Sequence, residues 1–124
     1  MGTGTGIGRV RGLGSARSGV SHWWLQRVSS ALLLPLTLWF AVSAALLAGA
    51  SHAETVAWIA RPHNAVLLLA AIGLSFHHTA AGAQVILEDY VNQEWLRMGA
   101  ILAVKTICGL LALASALAVL RIAI

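Results

Sequence analysis

Three long apolar segments, at about residues 24–50, 64–87 and 96–122, dominate this sequence. A helix needs about 20 mostly apolar residues to cross the roughly 30 Å hydrocarbon core of a bilayer, and each segment reaches that length. Backbone N–H and C=O groups have no water to bond in lipid, so a spanning segment of this kind has to be helical. The expected fold class is all-α: an integral membrane protein of three transmembrane helices. Composition agrees, since 59% of the 124 residues are hydrophobic and only 10% are charged, against about 25% charged in soluble domains. No nucleotide-binding glycine motif, cysteine set for a metal cluster or soluble domain is present in this sequence. Cys108 is the sole cysteine and lies within an apolar run, which reads as a small packing residue.

The expected organisation is a flexible basic tail over residues 1–20 and a three-helix anchor over residues 21–124. The tail, "MGTGTGIGRVRGLGSARSG", resembles an organelle transit peptide in being basic and acid-free, but its glycines make a poor amphipathic helix. It lacks the apolar core that follows the charged start of a cleaved secretory signal. Eight Lys and Arg against four Asp and Glu give a formal charge of +4. Arg9, Arg11, Arg17 and Arg27 lie before or just inside the first apolar run, which orients the N-terminus toward the cytoplasm. Three crossings then put the "EDYVNQEW" connection on the cytoplasmic side, and "SHAETVAWIARPH" and the C-terminus on the other. Both connections are too short to fold separately. Basic residues interleaved with aromatics, as on a nucleic-acid surface, are absent.

The second segment carries polar residues in an unexpected place. Ala71, Ser75, His78, Gly82, Val85 and Asp89 recur at steps of three and four, which puts them on one helix face. Leu67, Leu74, Val66 and Ile86 lie behind it and suit lipid or close packing. His78 precedes Asp89 by eleven residues, about 16 Å along a helix, and so sits near the bilayer centre. A histidine there is costly unless something uses it. Three uses are open: an axial haem ligand, a proton relay, or an interhelical hydrogen bond. In the haem reading Ser75 and Gly82 flank His78 on the same face, and Gly82 leaves room for a flat macrocycle. His77 points about 100° away and cannot bind the same iron from the same side. His52 and His63 lie at the far interface and His22 precedes the first span, so a second axial ligand would have to come from another chain.

At the cytoplasmic edge, Asp89 and Tyr90 end the second span, and Arg27 enters the first one turn after Trp23. A quinone carbonyl needs a hydrogen-bond donor and its reduction needs protons, roles that suit Tyr90 and Asp89. Arg27 could pair with a haem propionate, because guanidinium binds carboxylates bidentately. Ordinary flanking charges and an interfacial tyrosine anchor are the plainer explanation of these residues. Ser30 and Thr37 share a face with Ala41 and Ala44 that suits close helix packing, and Ser30 is near enough to the edge to line a pocket. Lys105, well inside the third span, could snorkel or pair with an acid.

"SHWWLQRVSSALLLPLTLWF" followed by "H...G.QVILEDYV" resembles the hydrophobic membrane anchor subunit of bacterial succinate dehydrogenases, respiratory complex II, over about residues 19–124. The resemblance implies that His78 is the axial ligand of haem b, and hence of its iron, with Arg27 near the propionates and the quinone pocket. It also implies that Tyr90 contacts ubiquinone, beside Asp89. A cytochrome b556 subunit would supply the other haem ligand, around which the helices of both chains pack. An iron-sulfur protein and a flavoprotein would complete the complex, in the bacterial inner membrane. In that reading succinate is oxidised elsewhere, and this chain is a non-catalytic anchor that helps form the quinone-reduction site. The anchor of a fumarate reductase or other haem b quinone enzyme, and a cofactor-free structural or assembly protein, are the competing readings.

Overall fold

The structure, a computed structural model, describes residues 18–124. Of the flexible tail expected at residues 1–20, residues 1–17 lie outside the described residues, and residues 18–20 belong to the first helix. Four helices follow in order: α1 (Ser18–Leu46), α2 (His52–Ile59), α3 (Pro62–Tyr90) and α4 (Glu94–Ala123). The three long ones are apolar enough to cross a membrane, and at 29, 29 and 30 residues each is about 44 Å long. The chain is a multi-pass membrane protein. The helices at 62–90 and 94–123 run past both ends of their apolar segments, while α1 begins at Ser18 rather than near residue 24 and ends at Leu46, short of residue 50; Asp89 and Tyr90 fall in the last turn of α3.

The connection between the first two spans is itself partly helical. It holds a helix of its own, α2, because Ser51 and Glu54 make a reciprocal capping box. Glu54 N–H donates to Ser51 Oγ at 3.3 Å, while Ser51 N–H donates to Glu54 Oε2 at 2.7 Å. Those two bonds satisfy amides that a short helix would otherwise leave bare. Just before it, Gly49 turns the chain at φ 89°, a conformation side chains resist. Pro62 then opens α3 at a first-turn position, where a missing N–H costs nothing. Pro35 sits inside α1, which continues through it.

Helix α3 is the middle element, packing against α1 on one side and α4 on the other, while α1 and α4 do not pack on each other. Short connections make each neighbour antiparallel. The buried cluster lies at one end, where Ala65 and Leu68 of α3 meet Val119 of α4. Trp39 of α1 stacks on Trp58 of α2 beside it, ring centroids 5.6 Å apart. Buried Asn64 donates through Nδ2 to the Trp58 carbonyl at 2.8 Å, tying α2 to the start of α3.

The packed face of α1 is one residue away from the one expected. Ser30, Thr37, Ala41 and Ala44 are all exposed, and the covered positions are His22, Gln26, Ser29, Leu33, Leu36, Trp39 and Ser43. Both sets have helical spacing and small residues; the second carries the larger side chains that fill the seam against α3. Leu67 and Leu74, expected behind the polar stripe, are half-buried because α3 is covered on two sides, while Val66 and Ile86 are exposed as expected. Cys108 is a free, half-buried thiol.

Candidate functional site

His78 lies sixteen residues after Pro62 and twelve before Tyr90, or about 24 Å and 18 Å from the ends of α3. It is half-buried and lines an open groove of about 540 Å³ whose other walls are Ser30, Leu33, Leu34, Thr37 and Leu38 of α1. Its Nδ1 is 3.0 Å from the hydroxyl of Ser29. Ser29 is 3% exposed, and it donates to the Gln26 carbonyl at 3.0 Å. The second ring nitrogen, Nε2, makes no hydrogen bond among the described residues.

One turn further along α3, Gly82 faces α1. A Cβ built there would stand 3.5 Å from the Gln26 amide nitrogen, an ordinary contact. Gly82 thus lies in the α1–α3 seam at Gln26, alongside the His78–Ser29 bond, with room for a Cβ. Gln26 Oε1 and His22 Nε2 are buried without a hydrogen-bond partner among the described residues.

A second groove of about 470 Å³ lies between α3 and α4, with His22 of α1 at its margin. His77, Gln84 and Lys105 give it polar edges, and Gly73, Ala80 and Gly109 keep its walls low. The adjacent histidines thus serve different grooves, as their angular separation on α3 demands. Among the described residues no group of three or more His, Cys, Asp and Glu could enclose a metal ion.

The edge residues stand apart from both grooves. Tyr90 is 81% exposed, and Asp89, Arg27 and Ser75 are exposed as well. Among the described residues no ion pair joins Arg27 to Asp89; the guanidinium sits over the Trp23 ring at 4.8 Å from its centroid, a cation–π contact. Gln84 bonds Glu88 at 2.7 Å on the same side of the protein. Ser30 also donates to the Gln26 carbonyl, at 2.8 Å. Of the residues singled out in sequence, His78, Ser30 and Thr37 share one groove, and His22, His77, Lys105 and Cys108 share the other. Ser29 and Gln26 were missed, although steps of three and four from His22 pass through both.

Three helices long and apolar enough to cross a membrane, with a histidine midway along the second presented to an open groove, define a helical integral membrane protein. Residues 1–112 match the family model described as "Succinate dehydrogenase/Fumarate reductase transmembrane subunit". A succinate dehydrogenase hydrophobic membrane anchor subunit of Rickettsia bellii is 37% identical over 100 residues, 80% of this chain and 79% of that one. Its counterpart in Rickettsia conorii is 31% identical over 82% of each chain. A succinate dehydrogenase membrane anchor subunit of Reclinomonas americana is 32% identical over 73% of this chain and 78% of its own. No solved structure matches significantly. The chain belongs to the succinate dehydrogenase/fumarate reductase transmembrane subunit family, within it to the hydrophobic membrane anchor subunits of the bacterial type.

Proposed function

We propose that this anchor subunit supplies one axial ligand, His78, to a haem b shared with a cytochrome b556 subunit, and helps form the ubiquinone-reduction site of succinate dehydrogenase. The observation that carries the reading is the state of His78: Nδ1 engaged by Ser29, Nε2 without a hydrogen-bond partner among the described residues, and an open groove beside it. Imidazole nitrogen suits haem iron, so the donor chemistry fits. The other histidines line the second groove or flank the far end of α3, which leaves the opposite axial position to a partner chain. Haem, once bound, would supply one-electron chemistry; this chain's part is to hold and orient it, with Ser75 and Gly82 about one turn to either side of His78 on α3 and Arg27 on α1.

Ser30 shares the His78 groove, and Tyr90 and Asp89 end the same helix toward the edge. They support a quinone level between haem and the iron-sulfur partner. Tyr90 donates a hydrogen bond to the quinone carbonyl and Asp89 feeds the proton path. The basic N-terminal side supports a cytoplasmic setting for that edge; in this reading the subunit sits in the bacterial inner membrane, with the flavoprotein and iron-sulfur subunits docked on the cytoplasmic side. The test is the reduced-minus-oxidised spectrum of the purified complex carrying His78→Ala. The b-type haem band is expected to vanish; an unchanged band removes His78 from the role.

A further inference from the structure

We propose that Ser29 is a positioning residue that fixes the His78 ring as its Nδ1–H tautomer and so keeps Nε2 unprotonated and available to iron. This rests on the haem reading of His78 given above. The argument is one of proton counting. A serine hydroxyl has a single proton and two acceptor lone pairs. The Ser29 proton goes to the Gln26 carbonyl, which can only accept. The 3.0 Å contact to Nδ1 therefore needs its proton from the ring, and Ser29 Oγ accepts it. A neutral imidazole with a proton on Nδ1 carries its free lone pair on Nε2.

Packing holds this arrangement in place. Ser29 is buried against α3, whereas Ser30, next to it and also bonded to the Gln26 carbonyl, is exposed. Gly82 lies one turn along the same seam, against Gln26, and leaves the Ser29 bond unobstructed. Ser29 also sets the rotation of the ring about its Cβ–Cγ bond, because Nδ1 must point into the seam. Partners of this kind on the outer nitrogen orient metal-bound imidazoles and raise their basicity; their loss typically costs about 10–100-fold in affinity.

The test uses the assembled complex in its membrane, with Ser29→Ala, Ser29→Thr and His78→Ala compared at equal flavin content. The readouts are haem b retained during competition with a haem-scavenging apoprotein, the reduced-minus-oxidised spectrum, and the haem midpoint potential. Ser29→Ala should lose haem roughly 10–100-fold more readily and shift the potential upward, because a less basic ligand favours the ferric state less. Ser29→Thr keeps the hydroxyl and should restore both toward wild type. A Ser29→Ala complex that matches wild type in retention and potential overturns the proposal, as does a Ser29→Thr complex as disturbed as Ser29→Ala. In both cases a haem-free His78→Ala complex leaves the His78 reading standing; a His78→Ala complex that keeps its haem overturns both.

Discussion

The two ends of the bundle are built differently. At one end the chain provides its own core: Ala65, Leu68 and Val119 are buried, Trp39 stacks on Trp58, and Asn64 ties α2 to α3. Toward the other, α1 and α3 meet through Ser29, Gln26, His78 and Gly82, and beyond them Asp89, Tyr90, Arg27 and Trp95 are exposed. Apolar packing at the first end asks for nothing outside the chain. Polar atoms at membrane depth at the second, with His22 Nε2 and Gln26 Oε1 lacking partners among the described residues, are expensive in lipid. The difference teaches where a subunit of this kind holds itself together and where it leaves chemistry to be completed.

Substitutions at the two ends should separate these jobs. The largest effect is expected from His78→Ala, which should abolish the haem b spectrum while the helical content of the subunit by circular dichroism stays at wild type; loss of helix with loss of haem would mean that the open end also holds the fold. Tyr90→Phe should lower succinate:quinone activity by roughly a hundredfold or more, with succinate oxidation by an artificial acceptor intact. Equal persistence of both activities would remove Tyr90 from the quinone site. At the packed end, Asn64→Ala should cost about 0.5–1.5 kcal/mol in detergent unfolding, the ordinary net value, because the Trp58 carbonyl keeps bonds from Ala60 and Arg61 N–H groups. Its haem spectrum should not change.

The smallest effect concerns α2, outside the long spans. Backbone and side-chain hydrogen bonds from Ser51 hold the Glu54 carboxyl below its ordinary range. A lowered folded-state value means that folding favours the charged form. The contribution of the cap is thus complete above the ordinary carboxylate range and fades as pH falls through the lower folded value. Acidification should fray the first turn of α2, read by amide chemical shifts at Glu54 and Thr55, and Glu54→Gln should remove most of that pH dependence. A fully exposed group makes this a local effect, leaving the long helices unmoved.

Gly82 sharpens the contrast at the seam. Alanine there meets Gln26 at ordinary contact distance and should be tolerated, whereas Gly82→Leu should wedge α1 from α3 and release haem b, read by the same spectrum. A haem-replete leucine variant would show that the close approach is dispensable.

The sequence by itself determined that the chain spans a membrane as helices, because length and apolarity leave no other way to satisfy a backbone in lipid. Helical period alone put His78 on one face of α3 and His77 on another, and the motif around residues 78–91 pointed to the family. The helix inside the first connection was less legible: its signal, Ser51 followed by Glu54, is two residues long. Only the tertiary structure decided that Ser29 rather than Ser30 faces α3. Both are serines one position apart, and a choice between adjacent faces depends on which neighbour fills the seam. It likewise brought Ser29 within hydrogen-bonding distance of His78 Nδ1, since a bond across forty-nine residues of chain exists only once two helices have packed.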